Sequence, residues 1–477
     1  IAARGGTRRL RLSCSAGLDQ APDFRLPGNV KQYPNQQGAF RNNSDYGKKS
    51  ASLKIHYLPG RDHSFGLQLN HIRNAYNVPP NALTTRPRYW QFPEWSKDVI
   101  SLNSIHVFHP DASLRTVWFY DQYYNVLESY DDDTYTTQDQ RYAFTSTYDD
   151  YSLGAILYPK VRLLPFGLTN GVISLKEDNH QQQSDEDQPF ERYSIRTWTA
   201  GLEQGLEISS GMGATIGTEV NYLQPTYVQG LDLRDPLALL NGQLALEYRF
   251  LEPYTVHLAL GSKSRFPTLK ELYSERLGRN IPNPQLEPEY STNIETGIRW
   301  AIGTNSVQFA VYHSSLRSLI TNQVVEQDGE FVNQYQNIGL ALMQGLEINA
   351  RGALRRVSWN LGYAFLEAEN RTAGRDSDYL EYRPRHQLKA FCQTDLTSRL
   401  AMHFEGHYVT EQYCLNPDNK VWEKLDGFGV INMKLQYGIN RVSLYARIRN
   451  VFDMSYMSEY GVPMPGRETS IGLRMEI

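Results

Sequence analysis

Residues 441–451 read Arg-Val-Ser-Leu-Tyr-Ala-Arg-Ile-Arg-Asn-Val. In an extended chain successive side chains point to opposite sides, so Val442, Leu444, Ala446 and Ile448 share one face. Arg441, Ser443, Tyr445, Arg447 and Arg449 share the other. The same period of two recurs upstream. Leu400, Met402, Phe404 and Tyr408 oppose Ala401, His403, Glu405 and His407, and Val357, Trp359, Leu361, Tyr363 and Phe365 form another apolar stripe. Leu53, Ile55 and Tyr57 oppose Lys54 and His56; Phe65, Leu67 and Leu69 oppose Gln68 and Asn70. Helical periodicity is almost absent, so the chain reads as all-β from end to end.

Two architectures use strands with one apolar face: a soluble sandwich, which turns that face inward, and a membrane barrel, which turns it to lipid and lines a wet lumen with the polar one. Connection lengths decide between them. Short turns are expected at Pro59–Asp62, His109–Asp111, Pro159–Val161, Ser209–Gly211, Leu251–Pro253, Ile302–Thr304, Arg351–Leu354, Thr394–Thr397 and Gly438–Asn440. Between them lie long polar connections at 19–45, 76–95, 126–138, 178–189, 223–240, 265–289, 322–330, 366–383, 411–426 and 451–466. Short and long alternate without a break. Short periplasmic turns and long extracellular loops are the pattern of a transmembrane antiparallel β-barrel in the outer membrane of a Gram-negative bacterium; a sandwich has no reason to segregate them.

Composition agrees. The 32 tyrosines suit strands and interfaces, and no apolar run of 18 or more residues marks a transmembrane helix. A net charge of −4, evenly spread, gives no footprint for nucleic acid. Cys14, Cys392 and Cys414 are too few for a disulfide framework, and Cys14 and Cys392, on the apolar faces of expected strands, read as small packing residues. The chain starts at Ile1 with Arg4, Arg8, Arg9 and Arg11 close behind, and carries neither an initiator Met nor the apolar core of a signal peptide. If the short turns are periplasmic, the first complete strand, Arg8–Leu18, runs outward, and Ile1–Ala3 is the end of a strand descending before it. An unpaired strand edge in lipid is costly, so this reading favours a fragment of a longer barrel.

Several motifs in order resemble the barrel of TonB-dependent receptors. Arg265-Phe-Pro267-Thr-Leu-Lys-Glu271-Leu-Tyr273 resembles the family's outer-loop motif, followed by Asn283-Pro284-Gln-Leu-Glu-Pro288-Glu289 and Glu295-Thr-Gly297. Tyr335-Gln-Asn337 with Gly345-Leu-Glu347 is similar to a strand of the same barrels. Asn450-Val-Phe452-Asp453, Tyr456 and Gly461-Val-Pro-Met-Pro465-Gly466-Arg467 resemble the closing loop and strand. The resemblance covers residues 259–477; the remainder fits by strand and loop rhythm only. It implies a barrel spanning 1–477 with about 20 of 22 strands present, and an N-terminal plug domain and first strands outside the chain. Family members usually end on an aromatic residue, whereas this chain ends Arg474-Met-Glu-Ile477. The motif residues read as structural: Pro463–Gly466 for tight turns, Asn450 and Asp453 as partners for backbone groups at a strand end, and Arg467 paired with a wall carboxylate.

No nucleophile elbow, Walker loop, CxxC or HExxH occurs, so an enzyme is not expected, nor is a cofactor. The histidines His56, His63, His71, His106, His109, His403 and His407 lie singly on strands and read as polar lumen or interface residues. His403 and His407 share a face but sit about 13 Å apart, too far to share a metal. Two outer loops have a ligand-like composition. One holds Tyr76, Arg86, Arg88, Tyr89, Trp90, Phe92 and Trp95, suited to stacking and to bidentate bonds with an anionic or flat ligand, or else to an aromatic girdle at the membrane interface. The other sets Asp131, Asp132 and Asp133 between Tyr130 and Tyr135, a candidate for Ca²⁺ or for a bridge to lipopolysaccharide, with a solvated acidic loop as the plainer reading.

The function the resemblance implies is that of an active-transport receptor. Outer loops and plug capture a scarce nutrient (a ferric siderophore, haem, cobalamin or a glycan), and the TonB complex pulls on the plug. The expected partners are outer-membrane lipid, lipopolysaccharide, the nutrient and, through a plug not in this chain, TonB. The alternative is a plugless passive porin-like channel.

Overall fold

The computed structural model describes residues 1–164, 167–273, 280–327 and 330–475. They form one 22-stranded sheet in which every long strand runs antiparallel to its neighbours. The single parallel partner is the two-residue segment Asn280–Ile281, laid beside Asn333–Gln334, which leaves 21 wall strands. Strands follow each other in sequence order around the wall, from Ala2–Gly6 and Leu10–Ala21 to Val442–Arg449 and Glu468–Met475. Among the described residues no helix is long and apolar enough to cross a membrane; crossing falls to the strands.

The register shows which face is which. Ile216, Leu244, Leu260 and Ile294 are direct cross-strand partners in one row over four strands. Leu67, Leu102 and Trp118 form another such row. Most of these side chains are open to the surroundings; Trp118 is 55% exposed and Leu102 53%. A water-soluble sheet would hide such rows, so the exposed apolar face is the one suited to lipid. The opposite face is polar. Glu203 and Gln243 flank Gly217 across two ladders, and the Gln243 amide reaches over it to the Glu203 carboxylate at 2.9 Å. This wet inner face is the lumen.

The expected alternation of short turns and long loops holds, with four corrections. The turn expected at Arg351–Leu354 is the end of the strand Glu330–Leu354, and the chain turns instead at Arg355–Arg356. The count is 21 strands rather than about 20, because the descending stub read at Ile1–Ala3 is the paired strand Ala2–Gly6. The turn expected at Pro159–Val161 is strand: Phe144–Leu164 runs through it and pairs with Gly167–Gln183. Proline has no N–H to donate, and the ladder to Gly167–Gln183 skips Tyr158 and Pro159 before resuming at Lys160↔Asn170. The loop expected at 322–330 is almost all strand, since Asn305–Gln327 and Glu330–Leu354 pair nearly to their tips. Above the lipid neither face needs to be apolar, so period-two hydrophobicity fades while the hydrogen bonds continue.

The first strand, Ala2–Gly6, pairs with Leu10–Ala21, and the last, Glu468–Met475, with Val442–Arg449. No ladder joins first to last among the described residues. The loops flanking this seam do meet. Gly28 N–H donates to Asp453 Oδ2 at 2.9 Å, Gly466 N–H to the Arg25 carbonyl at 2.9 Å, and Ala82 N–H to the Gly461 carbonyl at 2.8 Å.

Candidate functional site

The long-loop end of the lumen is built from a loop that folds inward. Arg265 ends its strand and donates Nε to Glu289 at 2.6 Å and both terminal nitrogens to Glu271 at 2.9 and 3.2 Å. Glu271 also accepts the Thr268 N–H at 2.7 Å, and Thr268 Oγ1 accepts the Glu271 N–H at 3.2 Å. This reciprocal capping box starts the short helix Leu269–Tyr273, whose Leu269, Leu272 and Tyr273 are buried. They pack with Tyr193, Ile195, Leu223, Val228, Leu286 and Ile320 in a small apolar core. Pro267 is fully buried as well. Asn283 donates to the Tyr335 carbonyl at 2.8 Å, and Asn337 accepts the Glu287 N–H at 2.7 Å, which anchors the Asn283–Glu289 segment, with Pro284 and Pro288, to the neighbouring hairpin. Gly345 sits where a Cβ would lie 2.4 Å from the Phe365 carbonyl, beside the Tyr312 ring, so only glycine fits there. Its motif partner Glu347 lies on the lumenal face, paired with Ala310 and Ala364.

The closing motif is structural too. Asn450, with φ 46°, donates to the Met454 and Pro465 carbonyls at 2.9 and 3.1 Å and accepts the Met454 N–H at 2.8 Å. Asp453 takes the Gly28 and Arg467 N–H groups; these bonds hold its carboxyl below the usual aspartate range. Gly466 passes so close to Pro27 that a Cβ would stand 2.7 Å from its nitrogen. Tyr456 stacks on Phe428 at 4.3 Å, whereas Phe452 is 73% exposed. The wall carboxylate expected opposite Arg467 is not its partner among the described residues; its guanidinium donates to the Val451 carbonyl at 3.5 Å. The loop's own carboxylate, Asp453, takes the backbone instead.

Inside the mouth two transverse rows of lumenal side chains run across neighbouring strands. One is Ile72, Lys97, Tyr123, Asp150, His180 and Tyr193. The next, one step toward the loops, is Asn74, Trp95, Asn125, Tyr148, Gln182 and Glu191. Trp95 meets Tyr123 edge-on at 5.5 Å, Tyr148 meets His180 at 5.1 Å, His180 stacks on Tyr193 at 6.1 Å, and Tyr193 on Tyr273 at 5.8 Å. A polar chain threads the rings. Asp150 bonds His180 Nδ1 at 2.5 Å, His180 Nε2 meets Gln182 at 3.2 Å, and Glu191 accepts from Gln182 at 2.8 Å and from Tyr193 at 3.0 Å. Lys270 from the inward loop lies over the Tyr148 ring at 4.2 Å and 4.0 Å from Asp150. The amide oxygens of Asn74 and Asn125, on either side of Trp95, and the Tyr273 hydroxyl are buried without a hydrogen-bond partner among the described residues. The patch therefore offers aromatic faces and free acceptors to a flat ligand bearing hydroxyl or N–H groups.

Of the loop residues singled out from sequence, Trp95 lies in this patch. Tyr89, Tyr130 and Tyr135 converge, although their loops are separate in sequence: Tyr135 meets Tyr89 at 6.0 Å and Tyr130 at 5.7 Å. Trp90 donates its indole N–H to Ser129 at 3.1 Å under the Arg88 guanidinium at 4.7 Å, and Tyr76 stacks on Phe92 at 4.7 Å. Arg86 sits apart in the 79–88 loop, close enough to Asp418 to help lower its carboxyl after the Thr84 and Thr85 hydrogen bonds. The Asp131–Asp133 run does not assemble a cation site. Asp131 accepts the Asp139 and Gln140 N–H groups at 2.8 and 2.9 Å, Asp132 accepts from Thr134, and no group of three or more His, Cys, Asp or Glu suited to a metal exists among the described residues. The Asp131 and Asp132 carboxylates are engaged by the loop's own N–H and hydroxyl groups.

Sequence reading missed Tyr123, Asp150, His180 and Tyr193. They come from four strands and share no local pattern; only the lumenal parity of an aromatic or charged residue on each could have flagged them.

The family model for TonB dependent receptor-like β-barrels matches residues 7–451. Among solved structures the fold is similar to the copper transporter OprC, with TM-score 0.83 and 16% identity over 99% of this chain and 79% of that one. It is also similar to the FrpB iron transporter from Neisseria meningitidis, TM-score 0.81 and 14% identity over 99% and 78%. The siderophore receptor PirA from Acinetobacter baumannii gives TM-score 0.76 and 12% identity over 99% and 76%. These are receptors and transporters, not enzymes.

Proposed function

The chain belongs to the TonB-dependent receptor β-barrel family, and from that premise we propose that it forms the wall and outer mouth of a receptor for TonB-coupled uptake of a scarce nutrient: a ferric siderophore, haem, cobalamin or a glycan. The observation that carries the reading is the lumenal aromatic patch around Trp95, Tyr123, Tyr148, His180 and Tyr193. Its rings supply stacking area, and its unengaged amide oxygens accept from hydroxyl or N–H groups. Lys97 and Lys270 add positive charge at its edges. Energy coupling runs through a plug outside this chain, and the outer leaflet's lipid and lipopolysaccharide surround the apolar belt. The passive-channel alternative lacks support, since the matching family and the similar structures are receptors and transporters.

Growth of a deletion strain on defined iron, haem, cobalamin and glycan sources tests this. Loss of growth on one source, restored by the intact gene and not by a Trp95→Ala, Tyr123→Ala copy, is the expected result. Normal growth on every source would sink the receptor reading.

A further inference from the structure

The histidines that stand singly in the sequence include two that the fold joins. His63 and His106 are direct cross-strand partners on the strands His63–Val78 and Tyr89–His109. Their Nδ1 atoms lie 3.1 Å apart. They share the outward face with Phe65, which pairs with Ser104, and with Leu67, which pairs with Leu102. That places them at the short-turn end of the exposed apolar face; His63 is exposed.

We propose that His63 and His106 form a two-nitrogen chelate for a divalent transition ion, with Cu²⁺ as its best fit. Three observations carry this. First, the separation suits a shared ion. Two metal–nitrogen bonds of about 2.0–2.1 Å closing on atoms 3.1 Å apart subtend roughly 95–102°. That lies between the right angle of a tetragonal site and the tetrahedral angle, so either geometry is reachable, and among divalent first-row ions nitrogen ligands hold Cu²⁺ most tightly.

Second, the second ring is oriented for the task. His106 Nε2 is engaged by Ser104 Oγ at 2.9 Å, and Ser104 Oγ by Thr116 Oγ1 at 2.8 Å. Such outer partners fix the ring and leave the other nitrogen to the metal. Phe65 meets the His106 ring edge-on at 5.4 Å and Phe108 stacks on it at 6.2 Å, so both sides of the imidazole are held.

Third, the two Nδ1 atoms already face each other across one hydrogen bond. One Nδ1 must donate to the other, so a single proton lies between two nitrogens. An ion takes that proton's place, and the proton moves to Nε2 of the same ring through solvent. No net proton is lost and both Nδ1 lone pairs face the metal. No third His, Cys, Asp or Glu joins them among the described residues, so water completes the coordination.

Titrating the chain in detergent micelles with CuCl₂, followed by calorimetry and electron paramagnetic resonance, tests the proposal. One Cu²⁺ per chain with coupling to two nitrogens is expected. His63→Ala or His106→Ala is expected to weaken binding by about tenfold or more, and Ser104→Ala by a comparable factor through ring misorientation. His56→Ala, on the lumenal face, is the control. The idea is overturned if the wild-type chain binds no Cu²⁺, or if His63→Ala/His106→Ala keeps the same affinity and two-nitrogen signal, which would place the ion elsewhere, the terminal amine included. Should that double variant fail to fold, His63→Asn/His106→Asn retains polarity and size and gives the same decision.

Discussion

The Asp453 carboxylate accepts the Gly28 backbone N–H at 2.9 Å, although 425 residues separate them in the chain. The two loops that flank the seam between the first and last strands are thus bonded to each other where, among the described residues, the strands are not. Asp453 holds Arg467 N–H with its second oxygen at 2.7 Å, so one side chain ties the loop to itself and across the seam. Its folded pKa lies below the ordinary value of 3.8 because the Gly28 and Arg467 N–H groups stabilise the anion. The sign follows. A lowered folded pKa stabilises the fold fully above pH 3.8 and loses that contribution as the pH falls through the depressed value. Asp453→Ala is expected to cost roughly 1–3 kcal/mol in loop stability, toward the lower end because solvent screens the loop. Amide exchange at Gly28 and Arg467 should speed up at neutral pH in the variant, while the wild type loosens only in strong acid. Unchanged exchange at both amides would contradict the role.

Arg265 latches the inward loop through Glu271 and Glu289, and Thr268 caps its helix. Arg265→Ala leaves two carboxylates facing each other without their cation. Faster proteolysis within 266–288 is expected, with heat-modifiable migration of the barrel unaltered, because the antiparallel ladders between the long wall strands on either side of the loop do not depend on it. Thr268→Ala should give a milder version worth about 1 kcal/mol. Equal protease resistance in the Arg265→Ala variant would show that the apolar core around Tyr273 suffices alone.

Trp95 and Tyr123 meet edge-on at 5.5 Å in the lumen. An aromatic pair of this kind contributes about 0.5–1.5 kcal/mol beyond its buried area. Either residue changed to Ala is expected to weaken ligand binding by roughly 3–10-fold. The double variant should fall short of the product of the two, since each single change already breaks the shared contact. Ligand-dependent quenching of tryptophan fluorescence is the readout, and the Trp95→Phe form retains partial binding.

Leu202 points to lipid and its neighbour Glu203 to the lumen. Leu202→Arg is expected to cost about 2–4 kcal/mol near the bilayer midplane, read as a lowered urea midpoint for unfolding from bilayers. Glu203→Gln should change that midpoint little. Equal effects at both positions would mean that the faces have been assigned the wrong way round.

The all-β class, the alternation of short turns with long loops and the family were legible along the chain. Period-two hydrophobicity and turn residues are local properties, and the motifs at 265–289 and 450–467 are contiguous. Tertiary structure decided the rest. Hydrophobic alternation stops where lipid stops, so the hairpin through Gln327 and Glu330 read as a loop although its hydrogen bonds persist. The lumenal rows through Tyr123, Asp150, His180 and Tyr193, and the His63–His106 pair, depend on register across separate strands. Register is set by the whole ladder, and a shift of one residue would move every such side chain to the other face. What each strand presents was therefore written in its own residues, while what those residues meet was settled only when the strands paired.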